Sequence, residues 1–550
     1  MNTWRHTPGD QAPPAIGPVR PGRRIEIVDV LRGFSVLGIL LVNMLSFSGY
    51  GRAREMASVH RIAMLGIRFV AQAKFYTLFS FLFGWGMATQ MARAERRGAR
   101  FVPLYTRRLF ILLLIGLIHA VLIWDGDILT TYALLGFPLL IFRKRSQKAL
   151  LATAIVCMLI PVLLSTPGPG EAFGAAHSRI TEPYRQAVVA GHQAGAYTQG
   201  SYWEATLLRM KTLRLTYAGA VYWATHIFGM FLLGLYAGRR SILQNIPAHV
   251  PFLRKVMWGG LVVGVVCNLT FVCVFDSPGL VPASYYELAT RGARTIGGPA
   301  LCLFYIAAIV LLSQRPAWRR RMAPLAAVGR TALSNYLMHS VLCTLIFYEY
   351  GLGLYGKPGP AITLFLTLAI YRLQIGLSNR WLSHYRFGPA EWLWRSLTYG
   401  KLQRMSLTAA EREARTRPQT EAKAGGSRAP LPGWLAFVAR RLLFMAAVAF
   451  AIAYFCVLGL RLSVNSTAVG QRTRSIKHLA GPALEETIEF FEDALRGRLG
   501  YVVQGITQRT QVPLTTLLVD TLWTSGSLLA ASIALATVAG ITAGGLAATR

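Results

Sequence analysis

The chain has 550 residues, of which 53% are hydrophobic and 15% charged, with a formal net charge of +35. Apolar runs of about twenty residues recur along it, the length a helix needs to cross the hydrocarbon of a bilayer, so a soluble reading is excluded. The Lys and Arg excess would suggest nucleic acid in a soluble protein, but here the cations cluster at the ends of apolar runs; that pattern belongs to topology and anionic headgroups, and no nucleic-acid partner is expected.

In chain order, residues 1–24 are Pro-rich and polar with no apolar core, and are expected to be a disordered cytoplasmic tail and not a cleavable signal peptide. Helices are expected near 28–49, 72–92, 106–124, 128–142, 149–165, 216–237, 256–276, 296–313, 325–349 and 360–382. Residues 25–400 then form an all-α polytopic transmembrane bundle of about ten helices. The basic stretches "RPGRR", "ARAERRGAR", "RKRSQK", "GRR" and "RPAWRRRM" all fall on one side, which the positive-inside rule makes cytoplasmic, with the N-terminus. Segments 166–215 and 277–295 fall on the outer side. So does "GRAREMASVHRIAMLGIR", which reads as an interfacial helix on the outer surface. Residues 401–433 have the composition of a charged linker. Residues 434–550 are expected to be a second membrane module, with helices near 434–460 and 518–547. No internal repeat emerges across the first ten spans. The six cysteines (Cys157, Cys267, Cys273, Cys302, Cys343, Cys456) lie singly, without the spacing of a zinc site or disulfide framework, and are read as packing residues.

Polar groups inside such helices cost roughly 2.5 to 3.5 kcal/mol each on insertion scales, so they are where function is sought. On the first helix Asp29, Arg32 and Asn43 fall within an arc of about 60° and make a stripe facing the bundle interior. The bland reading pairs Asp29 with Arg32 and gives Asn43 an interhelical hydrogen bond. His119 lies eleven residues beyond Arg108, as Asn43 lies eleven beyond Arg32, so both rise about 16 Å from the inner charges. An imidazole there suits a general base and an amide can hold an oxyanion, a pairing fit for acyl transfer. The alternative is a buried histidine bonded to backbone or tyrosine. Asp125 and Asp127 flank Gly126, which breaks the helix; they are read as orienting His119, binding a polar substrate at the outer mouth or ending the helix in water, with no metal expected. Lys74, at the start of the second helix, and Arg32 would bind anionic groups.

The stretches "DVLRGFSVLGILLVN", "KFYTLFSFLFGWG", "RRLFILLLIGLIHAVLIWDGDILTTYALLG", "GRTALSNYLMHSVLCTLIFYEYGLGL" and "RFGPAEWLWRSLTYG" resemble the YeiB-like bacterial membrane proteins over residues 24 to about 400. That resemblance implies a multi-pass protein of the bacterial inner membrane. The first-helix pattern, Asp29, Arg32, Gly33 and Asn43, is also similar to that of transmembrane acyltransferases related to heparan-alpha-glucosaminide N-acetyltransferase. In those enzymes the catalytic histidine follows the asparagine closely. Here the nearby histidine is His60, at a different spacing, which leaves His60 and His119 both as candidate bases. His339 is read as a polar packing residue. Residues 434–550 resemble the start of a dipeptide or oligopeptide ABC-transporter permease, without the further helices that would engage an ATPase.

Two functions follow. In the first, acyl-CoA (acetyl-CoA) donates an acyl group to a glycan, lipid or small-molecule acceptor, with His119 or His60 as base and Asn43 as polar partner. In the second the polar stripes line a transport pathway and His119 relays protons with Asp125 or Asp127. The bilayer is the expected partner in either case, and homo-oligomerisation is left open.

Overall fold

The computed structural model describes residues 26–49, 58–193 and 195–408, and further on two short strands, Tyr501–Gln504 (β1) and Thr510–Pro513 (β2), which pair antiparallel. The chain divides into two compact units, Met1–Gly426 and Ser427–Arg550. The tail before residue 26, most of the linker and the helices expected near 434–460 and 518–547 lie outside the described residues.

The described part of the first unit is built of helices joined by short turns and loops. Its helices are α1 (Glu26–Phe47), α2 (Ser58–Val70), α3 (Phe75–Arg96), α4 (Phe101–Ile118), α5 (Leu129–Leu139), α6 (Gln147–Leu163), α7 (Pro169–Gln193) and α8 (Tyr202–Ala218). They continue as α9 (Ala220–Arg239), α10 (Ile246–Asp276), α11 (Ala293–Ser313), α12 (Pro316–Arg330), α13 (Ala332–Phe347), α14 (Pro360–His384) and α15 (Pro389–Tyr399). Every one of the ten expected segments holds a helix, but fewer are long and apolar enough to cross a bilayer. Among the described residues six stretches qualify, Glu26–Phe47, Val59–Arg96, Phe101–Ile123, Ile246–Asp276, Ala283–Ser313 and Pro360–His384, and α8 with α9 makes a seventh if that bent pair is one span. The expected count of about ten is therefore not reached on length. α6 and α13, with 17 and 16 residues, measure about 25 Å at 1.5 Å per residue, short of the roughly 30 Å hydrocarbon layer.

Large apolar side chains left exposed, among them Phe110 and Leu114 on α4, Trp258 and Val262 on α10 and Phe365 on α14, form the surface that lipid would cover. Inside, glycines set how closely helices approach. A Cβ on Gly33 would stand 2.1 Å from the Leu325 carbonyl oxygen, and one on Gly329 would stand 1.8 Å from that of Asp29, so α1 and α12 touch backbone to backbone. Gly84 and Gly234 do the same for α3 and α9. Small residues at such crossings are how membrane helices gain dispersion contact where lipid offers no hydrophobic drive. The glycine that follows Arg32 in the first-helix pattern is thus a packing residue.

Between α2 and α3 the chain breaks at Ala73, whose φ of +67° lies in the left-handed region. The break frees carbonyls at the end of α2, and the fully buried Lys74 ammonium answers them, donating to the Arg68 carbonyl at 3.0 Å and to Asn268 Oδ1 on α10.

Replacing Gly33 with Leu forces α1 off α12. We expect it to destabilise the detergent-solubilised protein by about 1–3 kcal/mol or prevent folding, as overpacking does. Gly66→Ala, where nothing lies within 4 Å of the added carbon, should leave the melting temperature unchanged.

Candidate functional site

The histidine of α4 sits where that helix loosens. Residues His119–Ile123 form one π-helical turn, closed by the Trp124 amide donating to the His119 carbonyl at 2.9 Å. Such a turn widens the backbone spacing and is common at functional sites. Gly126 then lets the chain fold back on itself, since a Cβ there would meet the Trp124 ring at 2.2 Å.

His119 is 1% exposed, and both its ring nitrogens are engaged. Nδ1 stands 2.8 Å from Asp127 Oδ1 and Nε2 stands 2.8 Å from the Ser340 hydroxyl on α13. The other oxygen of Asp127 accepts from the Thr130 amide at 2.6 Å, which satisfies an otherwise orphan donor in the first turn of α5. An ionised carboxylate cannot donate, so Nδ1 carries the proton towards Asp127 and Nε2 offers its lone pair to the serine hydroxyl. A serine, a histidine and an orienting aspartate in this order are the constellation of nucleophilic acyl transfer. The His119 ring also lies 5.1 Å from that of Tyr336, one turn back on α13. Tyr336 in turn accepts from the Ile128 amide at 3.3 Å.

Arg209 of α8, fully buried, closes the end of the π turn. Its guanidinium donates to the carbonyls of Val121 and Ile123 at 3.2 Å each and to the Thr206 hydroxyl. It also supplies a positive charge to Asp125.

A cavity of about 180 Å³ reaches from the Arg32 end of the bundle to Tyr336. Its walls are apolar and aromatic, from α1, α3, α4, α5 and α13, and four guanidiniums line it: Arg32, Arg108, Arg330 and Arg395. Arg32 is held by Asp29 at 2.9 Å, and Arg108 lies 3.8 Å over the Trp394 ring while its carbonyl accepts from Trp394 Nε1 at 3.0 Å. Glu391 is the carboxylate of the lining, and its oxygens are committed: they accept from the Leu333 and Ser334 amides at 2.7 and 3.2 Å and from the Ser334 hydroxyl at 2.5 Å. This carboxylate caps the N-terminus of α13, where helix partial charge favours an anion. On the same helix His339 lines the cavity and bonds through Nε2 to Gln374 Oε1 of α14 at 2.6 Å.

This architecture has relatives. The chain is 38% identical over 411 residues to the uncharacterized protein YxaH of Bacillus subtilis (strain 168), an alignment that takes in 70% of this chain and 96% of that protein. It is 31% identical over 387 residues to the uncharacterized 39.9 kDa protein in the amylase 3' region of Bacillus acidopullulyticus, covering 70% and 96%. Against the uncharacterized protein YeiB of Escherichia coli (strain K12) it is 30% identical over 398 residues, covering 68% and 95%. The chain belongs to the YeiB-like family. Residues 237–401 match the family described as protein of unknown function, DUF418.

In this YeiB-like chain the expected site residues part into several places. His119 and Asp127 are bonded to one another, and Asp29 and Arg32 meet at the cavity end. Asn43 is half-buried on α1 and is not a partner of His119, whose two nitrogens are already taken. Equal rise from an inner arginine does not say which helix faces which. His60, also half-buried, accepts from the Ala361 amide at 3.4 Å at the start of α14, and its ring packs against Gly359. Lys74 is occupied in the α2–α3 joint. Sequence reasoning did not find Ser340, Tyr336, Arg209 or Glu391. A signal for two of them was present: Asn335, Tyr336, His339 and Ser340 recur at helical spacing along an otherwise apolar helix.

Asp125 lies just beyond the π turn. Burial raises its carboxyl to about 6, against the lowering effects of a backbone hydrogen bond and the charges of Arg209 and His119. A carboxyl raised on folding binds its proton more tightly in the native state, so it contributes stability at low pH that is lost as pH climbs through about 6. The melting temperature of the wild type should fall across that window, and Asp125→Asn should flatten this component of the profile.

Proposed function

We propose that the protein is a membrane-embedded acyltransferase in which Ser340, His119 and Asp127 carry the chemistry. The observation that bears the reading is the unbroken chain of two 2.8 Å contacts from the Ser340 hydroxyl through His119 to Asp127. His119 Nε2 takes the serine proton as the hydroxyl attacks an acyl carbonyl, and returns it to the leaving group. Asp127 holds the tautomer and stabilises the imidazolium that forms.

The donor is an acyl-CoA, for which acetyl-CoA is the simplest probe. The cavity suits such a molecule: its apolar and aromatic walls take the arm, and the guanidiniums of its lining bind phosphates, which Arg does bidentately. By the positive-inside rule its Arg32 end faces the cytoplasm of the bacterial plasma membrane, where acyl-CoA is made. The acceptor, a hydroxyl- or amine-bearing glycan, lipid or small molecule, approaches the side of His119 away from the cavity. Tyr336, in ring contact with His119 and in the cavity wall, stands between donor and triad.

A buried His–Asp pair is also the form of a proton relay, which supports a transport reading of the same residues. Function separates the two. In proteoliposomes supplied with labelled acetyl-CoA, His119→Ala and Ser340→Ala should each lower acyl transfer by at least about a hundredfold, the scale of a general base or nucleophile, with melting behaviour retained. Transfer that persists in both variants would overturn the reading, and solute uptake into sealed vesicles without any acyl donor would establish transport in its place.

A further inference from the structure

His339 has one nitrogen with an assigned duty and one without. Gln374 Nε2 donates to the Asn335 carbonyl at 3.3 Å, which turns Gln374 Oε1, an acceptor, towards His339. His339 Nε2 therefore carries the proton and donates it at 2.6 Å. The neutral ring then has a bare lone pair on Nδ1. That atom is buried, in a residue 2% exposed, and has no hydrogen-bond partner, while the residue lines the arginine-lined cavity. A buried acceptor left unsatisfied is costly, and native structures rarely retain one without a reason.

The Gln374 bridge makes the remedy specific. Asn335, which positions Gln374 through its carbonyl, is itself tied by its side-chain amide to Thr331 at 2.9 Å and to Ser378 at 3.0 Å. The chain of bonds running from Ser378 to His339 fixes the ring plane and the tautomer before any ligand arrives. What the cavity lacks at this point is a donor. No described side chain reaches Nδ1 within hydrogen-bond distance, so the missing donor is one that a ligand in the cavity can bring.

We propose that His339 Nδ1 is a ligand-recognition site that accepts a hydrogen bond from an N–H or O–H on the arm of the molecule occupying the cavity. This rests on the donor reading above and sharpens it: the arm of an acyl-CoA carries two amide N–H groups, and one of them is assigned to Nδ1. His339 is a binding and positioning residue, distinct from the triad. It sets which carriers are accepted, favouring an amide-bearing arm over a plain hydrocarbon chain of equal length.

The two amide side chains divide the imidazole between them. His339→Gln places an amide where Nε2 stands, so it keeps the bridge to Gln374 and loses the acceptor at Nδ1. His339→Asn places an amide oxygen near Nδ1 and loses the bridge. Binding of coenzyme A and of adenosine 3',5'-bisphosphate, which has the nucleotide phosphates without the arm, would be measured by calorimetry on the purified full chain. We expect His339→Gln to bind coenzyme A about tenfold more weakly and the bisphosphate unchanged, the loss of one buried hydrogen bond, with His339→Asn closer to wild type. Coenzyme A bound equally by wild type and His339→Gln would overturn the assignment while leaving the donor reading intact. No binding of coenzyme A by the wild type would overturn both. A measurement that needs no variant guards against a folding defect: coenzyme A with both arm amides N-methylated should bind the wild type about tenfold more weakly than the parent, and equal affinity would refute the proposal.

Discussion

A carboxylate with no exposed side-chain surface has to be satisfied, and the way Asp127 is satisfied organises the functional half of the bundle. One oxygen faces His119 at the end of α4 and the other caps the first turn of α5, so a single residue locks two helix ends at a reverse turn. The lock leaves His119 with its free nitrogen pointing at α13, where Ser340 meets it. Without the π turn the histidine would sit in the regular ladder of α4. The carbonyls of Val121 and Ile123, orphaned at this helix end, are closed by donors from the buried Arg209. Burial of the carboxylate, widening of the helix and the arginine of α8 are one device.

α13 connects this device to the cavity. Its N-terminus is held by Glu391 from α15, and its middle carries Tyr336, His339 and Ser340 in adjacent turns. A ligand that presses on Tyr336 therefore acts on the helix that presents the serine. The cavity and the triad are also complementary in chemistry. One is lined by guanidiniums and apolar within, as a site for an amphiphilic anion would be; the other is a hydrogen-bonded serine–histidine–carboxylate chain kept out of water.

Much of the bundle could be read from hydropathy, because apolar length is a local property. All ten expected segments are helical, and the misjudgement was of span: α6 and α13 are apolar enough to count yet too short to cross alone. The site was less accessible to sequence reasoning. His119 and Asp127 are eight residues apart, and the D-G-D turn after an apolar run drew attention to both. Ser340 lies 221 residues from His119, and nothing local marks a serine in a membrane helix as a partner. Asn43 shows the converse. Equal rise from an inner arginine places two residues at one height, but the neighbours of α1 are set by Gly33 against α12, a contact between segments nearly three hundred residues apart. Arg209 was hidden for another reason: its duty is to the orphan carbonyls where α4 ends, and only tertiary packing brings the arginine of α8 beside them.

The account stands or falls on whether Ser340 is a reacting hydroxyl or a fixed hydrogen-bond donor. The most direct measurement is peptide mapping of the purified full chain after brief exposure to isotopically labelled acetyl-CoA without acceptor, quenched in acid. The account predicts label on the Ser340 peptide in the wild type and none in His119→Ala. Label absent from Ser340 in the wild type while acyl transfer to acceptor proceeds would contradict it.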